Sequence, residues 1–129
     1  MATLSRILHV EDEPDIREIA AIGLGEVGGY QVVSCATSQE ALATVKAETK
    51  PDLLLLDVMM PDMDGPDLLA ALRHVPGMAS TPAVFVTAKT DPDEIAPLKA
   101  AGAVDVVTKP FDPMTLGDTV QRIWDAHVG

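Results

Sequence analysis

Short apolar runs alternate with amphipathic stretches five times along this chain. Ile7-Leu8-His9-Val10, Val32-Val33, Leu53-Leu54-Leu55-Leu56, Ala83-Val84-Phe85-Val86 and Val104 to Thr108 are too short and too aliphatic for helices. They predict strands at about 5–10, 31–35, 52–57, 82–86 and 104–108. The unbroken apolar character of the third and fourth runs, with no polar residue on alternate positions, points to strands buried on both faces. Between them the periodicity changes to helical. Ile16, Ile19, Ala20, Gly23 and Val27 follow Pro14, a residue suited to a first turn. Ala41, Leu42 and Val45 follow Ser38, read as an N-cap, with Ala41 where a capping box would want Glu. Leu68, Leu69, Leu72 and Val75 follow Pro66, and Ile95, Leu98 and Ala101 run from Asp91-Pro92 to a stop at Gly102. Leu116, Val120, Ile123, Trp124 and His127 form a last helix behind Asp112-Pro113. Strands separated by helices imply βαβ units, a parallel sheet and right-handed crossovers, hence one (βα)5 α/β domain over residues 1–129 with its core at about 5–127.

The groups at the carboxyl ends of the runs carry the chemistry. The first run leads into Glu11-Asp12, the third ends in Asp57, the fourth in Thr87 and the fifth in Lys109-Pro110. That end of a parallel sheet is where α/β folds place their ligands. Three acids, a hydroxyl and a lysine gathered there suit a divalent ion and a phosphoryl group, because Mg²⁺ takes oxygen ligands and keeps several waters. Glu11 and Asp12 are adjacent, so both serve one site only where the strand breaks, which Glu13-Pro14 provides.

Composition narrows the partners. Twenty acids against nine Lys and Arg leave a net charge of −11, which argues against direct nucleic-acid binding. The acidity serves solubility or a cationic partner. Aromatics are only 3%, so aliphatic side chains must fill the core. The single cysteine, Cys35, lies in a strand and reads as a small core residue, with no internal disulfide to form. The sequence has no signal-peptide stretch at its start and no run long enough to span a membrane, so a cytoplasmic protein is expected.

Glu11-Asp12, Asp57, Thr87 and Lys109-Pro110, in this order and at these spacings, resemble the receiver domain of two-component response regulators. Leu55 to Gly65 is similar to that family's phosphorylation loop, and Ala101-Gly102-Ala103 with Lys109-Pro110-Phe111 to its last strand and flanks. The resemblance implies a CheY-like, flavodoxin-like doubly wound sheet of order 2-1-3-4-5. It makes Asp57 the nucleophile that takes phosphate from a phosphohistidine on a sensor histidine kinase or histidine phosphotransfer protein. It implies Mg²⁺, with Mn²⁺ as a substitute, held by the side chains of Asp12 and Asp57 and the backbone carbonyl of Met59, with Glu11 acting directly or through a water. Lys109 is expected to pair with Asp57, then with a phosphoryl oxygen, and its bond to Pro110 to be cis. Thr87 is expected to donate its hydroxyl to the phosphoryl oxygens. Catalysis would extend only to the protein's own phosphorylation and autodephosphorylation.

Two departures stand out. Val106 occupies the place where many receivers carry an aromatic switch residue, and Val58 follows the phosphoacceptor where a tryptophan could have reported on metal. Met59 and Lys89, two residues beyond Asp57 and Thr87, hold positions that influence phosphoryl lifetime in the family. Other readings fit less well. A haloacid-dehalogenase nucleophile needs a second acid where Met59 stands, and a cap for which the chain has no room. A calcium loop from Asp62 would require Glu where Arg73 falls, and a flavodoxin would require a phosphate loop after the first strand. The remaining alternative is a receiver-like interaction module or a phosphorelay intermediate. With no output domain after His127-Val128-Gly129, output is expected by docking to a downstream protein. The fourth helix, fifth strand and fifth helix are available for it through Lys99, Asp105, Arg122 and Trp124. Only Asp105 fits a charged dimer network, so a monomer is expected.

Overall fold

Every apolar run becomes a strand: β1 (Arg6–Val10), β2 (Gln31–Cys35), β3 (Leu53–Asp57), β4 (Ala83–Thr87) and β5 (Asp105–Thr108). The amphipathic stretches become α1 (Pro14–Ala21), α2 (Ser38–Ala47), α3 (Gly65–Arg73), α4 (Pro92–Ala100) and α5 (Pro113–Val128). These come from a computed structural model that describes residues 3–47, 50–89 and 91–128. All pairings are parallel, in the order β2-β1-β3-β4-β5. Strand limits differ from the expected ones by a single residue at a few ends.

The sheet separates two cores, and strand alternation sorts side chains between them. Leu8, Val10, Leu54, Leu56, Ala83 and Phe85 face one way, against Ala41 and Val45 of α2, Leu68, Leu69 and Leu72 of α3 and Leu98 of α4. Ile7, Leu53, Leu55, Val84, Val86 and Val107 face the other way, against Ala20, Leu24, Leu116, Val120 and Trp124. The leucine run of β3 is apolar throughout because both its faces are covered. Cys35 lies in the first core, as expected. Among the described residues, no helix is long and apolar enough to cross a membrane.

Three helix expectations need correction. Ser38 does not cap α2 but is its first residue; Thr37 is the cap, its Oγ1 accepting the Glu40 N–H at 3.0 Å. Glu40 accepts the Ala36 N–H at 3.2 Å, one residue before the cap, so the helix start has the spacing of a capping box with its return bond shifted outward by one residue. Along α1, Ile19 and Val27 are exposed, whereas Ala20, Gly23 and Leu24 are buried. The chain leaves α1 through a wider π turn, Ile22–Val27, in which the Gly28 N–H reaches the Gly23 carbonyl at 3.0 Å. A Cβ on Gly23 would lie 2.6 Å from the Pro113 carbonyl oxygen, so this face meets α5 too closely for large side chains. At the carboxyl ends of α4 and α5, Ala101 and His127 are likewise solvent-exposed, although Gly102 does stop α4 with φ +119°.

Candidate functional site

β1 and β3 are neighbours, but their chains depart to opposite faces, which opens a crevice at their carboxyl ends. A cleft of about 260 Å³ lies there, lined by Glu11, Asp12, Asp57, Met59, Thr87 and Lys109 among others. All six candidate residues therefore meet in one place.

Glu11 still belongs to the strand ladder through its N–H to the Cys35 carbonyl at 3.0 Å. The backbone then turns, and Arg17 Nη1 fastens that turn by donating to the carbonyls of Glu11 at 2.9 Å and Asp12 at 3.3 Å. This brings two sequence-adjacent acids to one site. Glu11, Asp12 and Asp57 each offer an oxygen within 4.8 Å of the others, a cluster of hard donors that can hold a divalent ion. Glu11 and Asp57 are buried, and Asp12 is more open to solvent.

Lys109 is carried in by β5, whose ladder continues through the Lys109 N–H to the Thr87 carbonyl at 2.8 Å. Its Nζ lies 2.9 Å from Asp57 Oδ1, the expected pair, and 2.7 Å from Glu11 Oε1, which was not anticipated. Glu11 Oε2 in turn accepts the Glu13 N–H at 3.2 Å. Burial raises the pKa of the Glu11 carboxyl, and the Asp57 charge adds to this against the pull of Lys109. For Lys109, burial acts downward, but its bonds to Glu11 and Asp57 win and the pKa is raised. Lys109 thus pairs with two of the three clustered acids, and the group of hard oxygen donors suits a divalent ion. The Lys109-Pro110 peptide is cis, as the resemblance implied.

Thr87 is buried at the end of β4, its Oγ1 accepting the Lys89 N–H at 3.1 Å, so its proton remains available to donate. Met59 is 72% exposed at the rim. Two contributors escaped sequence reasoning. Gly65 packs so closely that a Cβ would meet the Asp57 carbonyl oxygen at 2.6 Å; a glycine at the first position of a helix was the available signal. His9 is fully buried on β1 and held neutral, its pKa lowered to about 4 by burial first and then by the charges of Lys109 and Arg17. An isolated histidine in an apolar run signals burial but not its electrostatic surroundings.

Comparison with known proteins bears on this arrangement. The family model described as response regulator receiver domain matches residues 7–121. The transcriptional regulatory protein KdpE of Mycobacterium tuberculosis is 40% identical over 108 residues, which are 84% of this chain and 46% of KdpE. An uncharacterized 14.6 kDa protein of Leptolyngbya boryana is 36% identical over 124 residues, 95% of this chain and 93% of that protein. The chain spans about half the length of most of the curated relatives it matches. Among solved structures, the chemotaxis response regulator CheY4 of Vibrio cholerae superimposes with a TM-score of 0.85 at 35% identity, covering 94% of this chain and 99% of CheY4.

Proposed function

Because the chain belongs to the response regulator receiver domain family, we propose that Asp57 is its phosphoacceptor. Receivers of this family generally bind Mg²⁺ and work with histidine kinases in two-component signalling. In this reading residues 1–129 act as one receiver unit, supplied by a sensor histidine kinase or a histidine phosphotransfer protein. An Asp57 carboxylate oxygen attacks the phosphorus of the partner's phosphohistidine. The O–P bond forms as the P–N bond breaks, leaving an aspartyl phosphate here and an imidazole on the partner. The observation that carries this reading is the grouping of Glu11, Asp12 and Asp57 within 4.8 Å, with Lys109 holding Asp57 Oδ1 at 2.9 Å.

Asp12, Asp57 and the Met59 carbonyl would hold Mg²⁺ or Mn²⁺, with Glu11 acting directly or through a water. The bound ion would supply charge neutralisation between the carboxylate and the phosphoryl oxygens. Lys109 orients the Asp57 carboxylate, then transfers its charge-assisted bond to a phosphoryl oxygen. Thr87 donates its hydroxyl to another and draws the following loop inward. An apolar pocket of about 250 Å³, including Ile16, Ile19, Pro110 and Phe111, adjoins the cleft and gives a protein donor a surface to rest on. Catalysis is confined to the chain's own phosphorylation and autodephosphorylation, and the switched form docks to a downstream protein. Of the charges a dimer network on that face would need, only Asp105 fits, so the chain is read as a monomer.

Acetyl phosphate with Mg²⁺ should add one phosphoryl group by intact mass, with none added to Asp57→Asn or in the presence of chelator. An unphosphorylated interaction module would show no adduct, and a persistent adduct on Asp57→Asn would move the nucleophile elsewhere.

A further inference from the structure

The loop between Asp57 and α3 is fixed at both ends. At its start, the Val58 N–H bonds to the Val86 carbonyl at 3.1 Å, and the Val58 carbonyl accepts the Gly65 N–H at 2.9 Å. Further along, Asp62 Oδ2 accepts the Ser38 N–H at 3.0 Å and the Gln39 N–H at 3.4 Å. Ser38, wholly buried, donates its Oγ to the Met63 carbonyl at 3.0 Å. Asp62 thus satisfies the first two orphan donors of α2 from a different part of the chain, while Thr37 satisfies the donor of Glu40. Met59, Met60 and Pro61 lie between these anchors. Each peptide unit is planar and has only two soft torsions per residue, so fixing both ends of a three-residue arch leaves few orientations for the Met59 carbonyl.

We propose that Asp62 is a positioning residue for the metal site: by tying the loop to the amino end of α2 it aims the Met59 carbonyl into the cleft. The proposal rests on Met59 being a ligand, as the preceding section holds. The geometry favours this role over simple helix capping because the tether is doubled. Asp62 bonds from loop to helix, and Ser38 bonds from helix to loop, so the two elements are locked in register rather than only capped. Among the described residues no hydrogen bond or ion pair joins Asp62 to the acids or the lysine, so it acts through the backbone it holds.

The test is the affinity of the protein for Mn²⁺ alone, read from the free-ion resonance without any phosphoryl donor. Asp62→Ala should weaken Mn²⁺ binding on the order of 10-fold, as loss of a group that orients a ligand does. Asp62→Asn keeps an acceptor oxygen and should recover most of the affinity. Thr37→Ala removes a cap from the same helix without touching the tether, and should lower the melting temperature while leaving Mn²⁺ affinity unchanged. Equal affinity in Asp62→Ala and the unsubstituted protein would overturn the proposal and leave the phosphoacceptor reading standing. Failure of the unsubstituted protein to bind Mn²⁺ would overturn both. If Asp62→Ala does not fold, amide exchange in the unsubstituted protein decides. Linkage requires that Mg²⁺ slow exchange at Ser38 and Gln39, and no change there would refute the tether.

Discussion

Lys109 is the shared counter-charge of two buried carboxylates, 2.7 Å from Glu11 and 2.9 Å from Asp57. Removing one partner of such a group leaves buried charge uncompensated, at a cost of about 3 kcal/mol. Lys109→Ala should therefore melt lower without metal and gain more from Mg²⁺ than the unsubstituted protein does, while still accepting phosphate. An identical Mg²⁺-induced rise in melting temperature in both proteins would contradict this. His9 gives a second, independent signature. Its pKa falls from 6.5 to about 4 on folding, so below pH 6.5 the unfolded chain binds a proton that the folded chain refuses. Stability is then lost as pH falls from 6.5 toward 4, by on the order of 3 kcal/mol. Denaturation of His9→Leu across that window should show a shallower decline; a parallel decline would assign the acid limb to other groups. At this scale the site was largely legible, because Glu11, Asp57, Thr87 and Lys109 each terminate an apolar run. The Glu11–Lys109 bond was not, since a cation's choice among three acids depends on distances that hydropathy does not encode.

Among the elements, the link from β4 to α4 is where the proposed switch should act. Thr87 Oγ1 holds the Lys89 N–H at 3.1 Å, and Lys89 Nζ lies 3.7 Å from Glu94 on α4, so a displacement of Thr87 would be felt first in this link. Val106 is half-buried against the core shared by α3 and α4, and it lacks the bulk to refill space that Thr87 leaves. Amide exchange with beryllofluoride should change most from Thr87 to Asp91 and little from Asp105 to Thr108. Equal changes in β5 would mean that another side chain supplies the lever. Strand positions were readable because buried runs are short and bounded by turn residues. The π turn after α1 was not, and neither was the close approach of Gly23 within it to Pro113, a contact distant in sequence. The cap of α2 was readable one residue earlier, as Thr37 and Glu40 in the spacing of a capping box, but the neighbouring Ser38 offered the same chemistry.

For the whole molecule, the alternation of strands and helices was enough for a parallel sheet, yet not for which strands are neighbours. The order β2-β1-β3-β4-β5 was legible only through the resemblance, and it makes the carboxyl ends of β1 and β3 adjacent. That adjacency turns the acids after β1 and the aspartate ending β3 into one cluster. On the proposed reading, Asp57 is the member of this cluster that carries the phosphoryl group. Borohydride reduction of protein treated with acetyl phosphate and Mg²⁺ tests this most directly, because an acyl phosphate is reduced to an alcohol while a free carboxylate is not. Peptide sequencing should find homoserine at position 57 and aspartate at positions 12, 62 and 64. Homoserine at another position, or an unreduced Asp57 in protein that carries the phosphoryl group, would contradict the account.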